Sequence, residues 1–348
     1  MPKKVRIVIV DDSLVFRTFL QHALEPCHDI EIAGVFADPV EALDRISKIS
    51  PDVLVIDMEM PKIRGNEFLK KAMPNNPHMK AVIISSLSDN VFDAMQAGAT
   101  DFVSKPASRP GYTNTEFTAD IIETIRIAAT AKPRAAARYI PQTKPAAPQP
   151  VAGLRPGTGR SLIAIGASTG GTEAILQVIQ TFPADTPGVV IVQHMPPGFT
   201  KMYADRADKI CSMTVREAKN NDRVERGLIL IAPGGSEQMR VESSDGGYTV
   251  DLRHGPKVSG HCPSVDVLFD SVASAAGRNA VGVILTGMGA DGAQGLKKMR
   301  MSGAHTIGQD ENTCIVYGMP KVAYDIGGVA EQLPLQSIGH AVTRRLSK

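Results

Sequence analysis

The sequence predicts an α/β protein in two units, each a mainly parallel sheet with helices on both faces, joined by a linker. Three observations predict it. Continuous apolar runs alternate with amphipathic ones five times before residue 127; apolar runs ending in polar, glycine-containing loops return after residue 158; between them lies an Ala-, Pro- and Gly-rich stretch. Strands that read as unbroken apolar segments are covered on both faces, the condition of a parallel sheet. The 348 residues have room for two domains. The limits read from these shifts are 1–127, a flexible linker over 128–157, and 158–348.

In the first unit "VRIVIV" leads to "SLVFRTFLQHAL", "IEIAGVF" to "PVEALDRISKI", and "DVLVIDM" to "GNEFLKKAM". "KAVIIS" then leads to "NVFDAMQAG", and "DFVSK" leads, after a loop, to "ADIIETIRIAATA". In such sheets ligands bind beyond the carboxyl ends of the strands. Asp11 and Asp12 follow the first run, Asp57 ends the third, Ser85 the fourth and Lys105 the fifth. Three carboxylates meeting at one edge repel unless a cation lies among them, and Mg²⁺ suits an all-oxygen set. The Lys105 ammonium can neutralise a transferred phosphoryl group, and the Ser85 hydroxyl can hydrogen-bond it. Any one of these residues could decorate a loop; the whole set in strand order points to a site.

Across about the first 125 residues the sequence resembles the receiver domain of bacterial response regulators. The match lies in Asp11-Asp12-Ser13, Asp57-Met58-Glu59-Met60-Pro61, Ser85-Ser86, Ala97-Gly98-Ala99 and Lys105-Pro106. The resemblance implies a flavodoxin-like (βα)5 fold in which Asp57 accepts phosphate from a phosphohistidine. It also implies that Asp12 and Asp57, with Asp11 beside them, hold Mg²⁺, that Glu59 contributes its backbone oxygen where many receivers carry asparagine, and that Ser85 and Phe102 move on phosphorylation.

From Ala128 to Arg160 there are six Lys or Arg, no acid and a single aromatic. This composition marks a tether rather than a packed element. Without those six, the 38 bases fall to 32 against 36 acids, so the folded parts are mildly acidic.

In the second unit "SLIAIGAS" ends at Ser168, "GVVIVQH" at His194 and "AVGVILTGMGAD" near Asp291, with helical spacing in "GTEAILQVIQTF" and "GAQGLKKMRMSG". Gly166-Ala167-Ser168-Thr169-Gly170 fits G-x-S-x-G, a turn that lifts a serine hydroxyl from a strand end. It lacks the Gly-Lys-Ser/Thr ending of a phosphate loop. If these runs are parallel neighbours, a serine, a histidine and an aspartate share one crevice, the set that acyl transfer needs. Backbone N–H groups of "STGG" and "GMGADG" can supply an oxyanion hole. By residue type alone Asp266 rivals Asp291, and Asp291 could instead cap the helix that follows it.

From about residue 160 onward the chain resembles the catalytic domain of the CheB-type chemotaxis protein-glutamate methylesterases. The matching stretches are "IGASTGG", "VVIVQHMPPGFT", "IAPGG", "CPSVDVLF" and "ILTGMGADGAQGLKKM". The resemblance implies Ser168 as nucleophile, His194 as base and Asp291 as its orienter, with Thr169 and Met288 near the oxyanion and no cofactor for ester hydrolysis. It implies chemoreceptors as substrates, at glutamate γ-methyl esters and certain glutamines, and a chemotaxis histidine kinase as phosphodonor. The pattern departs after "APGG", where a basic residue and a histidine are expected and Ser236-Glu237-Gln238-Met239 stands.

The remaining composition narrows the alternatives. A response regulator with a nucleotide- or nucleic-acid-binding output would need a helix-turn-helix pattern or a basic cluster after the linker, or a ribose-binding acid downstream of the glycine loop, where His194 and its neighbours carry none; these features are not found there. The apolar runs are too short to span a bilayer, and "MPKKVR" runs into a strand without a signal-peptide core. Four separated cysteines (Cys27, Cys211, Cys262, Cys314) read as reduced thiols, so a cytoplasmic protein without membrane insertion is expected.

Overall fold

The computed structural model describes residues 3–86, 90–108, 111–132 and 161–346. The chain divides into two compact units, Met1–Tyr139 and Ile140–Lys348.

The first unit alternates strand and helix through β1 (Val5–Val10), α1 (Leu14–Leu24), β2 (Ile30–Phe36), α2 (Pro39–Ile49), β3 (Val53–Asp57), α3 (Gly65–Ala72), β4 (Lys80–Ser85), α4 (Asn90–Gln96), β5 (Asp101–Ser104) and α5 (Asn114–Thr130). The five strands are parallel in the order β2-β1-β3-β4-β5. Alternate residues Ile7, Ile9, Val53, Val55, Val82 and Ile84 are buried with Leu20 and Leu24 of α1 and Phe117, Ile121 and Ile125 of α5. Helix starts follow local chemistry: Ser13 and Asp38 accept N–H bonds at the starts of α1 and α2, and Thr113 with Glu116 forms a capping box on α5. Helix α5 continues to Thr130, into the first residues of the segment read as linker. Residues 133–157 of that segment lie outside the described residues.

The second unit runs β6 (Leu162–Ala167), α6 (Gly171–Ile179), β7 (Val189–Gln193), α7 (Phe199–Ile210), β8 (Thr214–Glu217), β9 (Leu228–Ile231), β10 (Glu237–Ser244), β11 (Gly247–His254), α8 (Val265–Ala275), β12 (Ala280–Ile284), α9 (Ala293–Met301), β13 (His305–Gln309), α10 (Met319–Asp325), β14 (Glu331–Leu333) and α11 (Leu335–Leu346). Seven strands form one parallel sheet, ordered β14-β13-β12-β6-β7-β9-β8. The fold is α/β in both units, as the sequence predicts.

Strands β10 and β11 form a separate antiparallel hairpin that the sequence reading does not anticipate. Met239, Val241, Tyr248 and Val250 of the hairpin share a core cluster with Val265, Leu268, Phe269 and Val272 of α8. In the large sheet the connections diverge between β6 and β12: the chain leaves β6 towards β7 on one side and returns later to β12 on the other. That switch point opens a crevice at the carboxyl ends of the strands.

Candidate active site

Ser168, His194 and Asp291 follow β6, β7 and β12, three adjacent strands about that switch point. The backbone weaves the loops together. Ser168 N–H donates to the Thr286 carbonyl (3.0 Å) and His194 N–H to the Ala167 carbonyl (3.2 Å). Side-chain Nε2 of buried Gln193 donates to the carbonyls of Ser168 (2.9 Å) and His194 (3.2 Å). Gly287 lies so close to the serine that a Cβ built there would meet Ser168 Cβ at 2.7 Å. Chain turns into α6, α7 and α9 pass through Gly170, Gly198 and Gly292, with φ of 76°, 84° and 86°. Glycine adopts that left-handed backbone without a Cβ penalty.

The carboxylate of Asp291 is buried and fully engaged. Oδ1 accepts from Ser264 Oγ (2.7 Å) and Asp266 N–H (3.0 Å); Oδ2 accepts from Val265 N–H (2.7 Å) and His194 Nε2 (2.8 Å). Its anion therefore sits on the N-terminus of α8, where orphan N–H groups and the helix dipole favour negative charge. Burial pushes the Asp291 carboxyl up, but His194 and the hydrogen-bond donors outweigh it and hold the group below the ordinary carboxylate range. The N-cap of α9 is Gly292 rather than Asp291. Asp266, the rival acid, accepts from Gly295 N–H (2.8 Å) and Ser259 Oγ (3.3 Å). The aspartate on the histidine is Asp291.

A carboxylate can only accept, so Nε2 carries the hydrogen and the neutral ring leaves a lone pair on Nδ1. That Nδ1 is buried and makes no hydrogen bond within the described residues; Ser168 is half-buried and directly follows the end of β6. Two peptide planes flank the serine. The Ser168 carbonyl accepts from Gly171 N–H (2.7 Å) and Gln193 Nε2, and the Gly287 carbonyl from Gly318 N–H (3.1 Å) and Met319 N–H (2.8 Å). In a planar trans peptide the next N–H points the opposite way, so the Thr169 and Met288 N–H groups face away from those bonds. Thr169 is buried and Met288 is exposed.

Sequence reasoning misses the residues that hold this set. The ring of His261 stacks on His194, centroids 3.6 Å apart and planes 13° from parallel. Ser264 both caps α8 and donates to Asp291. A serine before an amphipathic run signals a helix cap, but no spacing rule marks His261.

In the first unit Asp11, Asp12 and Asp57 bring carboxylate oxygens within 4.8 Å of one another. Lys105 Nζ donates to Asp57 Oδ2 (2.7 Å), and the exposed Glu59 gives its N–H to Asp57 Oδ1 (3.3 Å). Burial, then the charge of Asp57, pushes Asp11 up to about 6; burial also raises Asp57, against the pull of Lys105. Oδ2 of Asp11 is buried and has no hydrogen-bond partner among the described residues. An all-oxygen cluster with an unsatisfied carboxylate oxygen fits a small, hard dication. Ser85 Oγ donates to the Ser86 carbonyl (2.6 Å), and Phe102 is buried on β5.

Comparisons with known proteins match both units of the chain. Residues 163–342 match the family model for CheB methylesterase, and residues 7–114 that for the response regulator receiver domain. A protein-glutamate methylesterase/protein-glutamine glutaminase 2 of Syntrophomonas wolfei is 49% identical over 352 residues, covering 99% of each chain. An Agrobacterium fabrum protein-glutamate methylesterase/protein-glutamine glutaminase is 45% identical over 348 residues, 99% of this chain and 97% of that one. Among solved structures, the Thermotoga maritima CheB methylesterase catalytic domain superposes with a TM-score of 0.52 at 35% identity, covering 53% of this chain and 98% of that one.

Proposed function

The chain belongs to the CheB methylesterase family, with a receiver domain ahead of the methylesterase domain, and we infer that it is a phosphorylation-activated hydrolase of bacterial chemotaxis. It removes methyl groups from glutamate γ-methyl esters of chemoreceptors and deamidates certain receptor glutamines. A non-catalytic output does not fit a methylesterase domain.

The observation that carries the chemistry is the Asp291–His194 couple, which leaves the Nδ1 lone pair as the base. In this reading Nδ1 takes the Ser168 Oγ proton as Oγ bonds to the ester carbonyl carbon. The Thr169 and Met288 N–H groups receive the oxyanion. The tetrahedral intermediate collapses, His194 returns the proton, and methanol leaves from an ester or ammonia from a glutamine. Water, deprotonated by the same nitrogen, then hydrolyses the acyl-serine. Asp291 stays ionised throughout, because four donors stabilise the anion and it only orients and steadies the imidazolium.

In the receiver, Asp57 accepts the phosphoryl group from a phosphohistidine of the chemotaxis kinase. Asp11, Asp12, Asp57 and the backbone oxygen of Glu59 would hold Mg²⁺, whose charge offsets that of the phosphoryl oxygens. Lys105 contributes a second positive charge, and Ser85 and Phe102 rearrange towards the modified Asp57. The domain limits that go with this reading are 1–127, 128–157 and 158–348, with residues 133–157 and 158–160 outside the described residues. No helix among the described residues is long and apolar enough to cross a membrane, in keeping with a cytoplasmic enzyme that meets its receptors at the membrane surface. Methanol release from methylated receptor membranes tests the reading: the full-length protein should release it, and Ser168→Ala should not.

A further inference from the structure

We propose that His261 is a positioning residue for the base: its ring, laid flat on His194, holds that imidazole in the plane in which Nε2 meets Asp291. The proposal rests on reading Ser168, His194 and Asp291 as a triad. A histidine ring held at one nitrogen still swings, because its second side-chain torsion lies in a broad well. His194 makes one side-chain hydrogen bond, through Nε2, and its Nδ1 makes none within the described residues. A flat neighbour 3.6 Å away at 13° supplies the missing constraint. It blocks rotation without taking Nδ1 from the substrate side.

The stacking ring is itself fixed to the frame that holds the carboxylate. Val258 and His261 exchange both backbone hydrogen bonds (2.9 Å each) across Ser259 and Gly260, whose φ values of 51° and 86° suit a tight hairpin turn. Buried Gln238 donates through Nε2 to the carbonyls of Pro256 (3.0 Å) and His261 (3.4 Å), and through Oε1 accepts Ser264 N–H (2.8 Å). Ser264 in turn donates to Asp291. One side chain thus registers the His261 loop against the acid that orients His194. It stands in the stretch where the sequence departs from the expected basic residue and histidine.

Charge is consistent with this role. The ionisable groups acting on His261 are His194 after β7, Asp291 before α9 and Lys257 on its own loop. Burial, with His194 next, pushes the His261 imidazole down to about 4. It therefore stays neutral while the base alternates between imidazole and imidazolium, and the two rings do not repel.

The test is methanol release from methylated receptor membranes by full-length wild type, His261→Ala and His261→Phe, each checked for a wild-type circular dichroism melt. His261→Ala should lose at least about tenfold in kcat with KM within about twofold, the pattern of a lost transition-state interaction. The acidic limb of its kcat/KM profile should move to higher pH, because an uncovered imidazolium is better solvated. His261→Phe, which restores a flat ring, should keep kcat within about threefold and leave the profile in place. Wild-type kinetics and pH profile in His261→Ala would overturn the proposal, as would equal losses in both variants. A fluorophosphonate probe separates this result from the triad reading. Unlabelled Ser168 in the wild type defeats the triad and the proposal together, whereas labelled Ser168 with unchanged His261→Ala kinetics defeats the proposal alone.

Discussion

Ser168, His194 and Asp291 differ in how much structure depends on each, and the variants should separate accordingly. Ser168→Ala removes a half-buried hydroxyl that packs little, so the melting temperature should hold while ester hydrolysis falls by about 10⁶, as for other lost serine nucleophiles. Asp291→Asn disrupts four donor contacts as well as the imidazole tautomer. It should cost about 10⁴ in kcat and about 1–3 kcal/mol of stability, read by urea unfolding. Asp266→Asn should keep the activity, because its carboxylate serves α9 rather than the base. His261 links site and stability through pH. Its folded value of about 4 lies below the ordinary 6.5, so its contribution is full above 6.5 and is lost as pH falls through 4. Urea midpoints at pH 7 and pH 4.5 should drop less in His261→Phe than in wild type, within an upper limit on the order of 3 kcal/mol. Identical drops would show that the imidazole takes up its proton at the same pH in the folded and the unfolded chain.

At the scale of elements, three glycine-started helices frame one crevice, and the spacing between loops is set by absent side chains. Gly287→Ala would drive a Cβ into Met319 Sδ (2.4 Å) and Ser168 Cβ (2.7 Å). It should cost about 1–3 kcal/mol by overpacking and, by displacing the serine, lower kcat by about 10²-fold; steady-state kinetics beside a thermal melt would check both. Such strands and loops are legible in a sequence because a buried parallel strand is an unbroken apolar run whose end is marked by a change to small and polar residues. "LIAIGAS" and "VVIVQH" carry that signal within a few residues. The hairpin β10–β11 is harder to read. Its strands "EQMRVESS" and "GYTVDLRH" bury Met239, Val241, Tyr248 and Val250 on one face while charged residues occupy the other, and such alternation is weaker than a continuous run. The stack of His261 on His194 is illegible for another reason: it arises from a turn between non-adjacent elements, and no periodicity relates the two rings.

For the whole molecule, a receiver and an esterase on one chain make the activity a function of phosphorylation. A phosphodonor should stimulate methanol release by the full-length protein, with a coupling of about 1–3 kcal/mol, or roughly 5- to 150-fold. Asp57→Asn should abolish the stimulation. If the receiver restrains the crevice, a fragment starting near Thr158 should exceed the unphosphorylated full chain in rate and ignore the phosphodonor. A fragment no faster than the full chain would mean that the receiver acts by promoting receptor docking or remodelling the site. The strand order of the larger sheet also imposes a timetable on synthesis. The receiver sheet is complete once β5 has emerged, but β6 gains its second neighbour only when β12, beginning at Ala280, leaves the ribosome. Until then the strand that carries the nucleophile loop presents an unpaired apolar edge, the kind of surface that recruits other chains. A chain ended at Gly277 should therefore pellet while the full-length protein stays in the supernatant. The same ordering that opens a crevice in the finished enzyme leaves its central strand open on one edge through more than a hundred residues of synthesis, from β6 to β12.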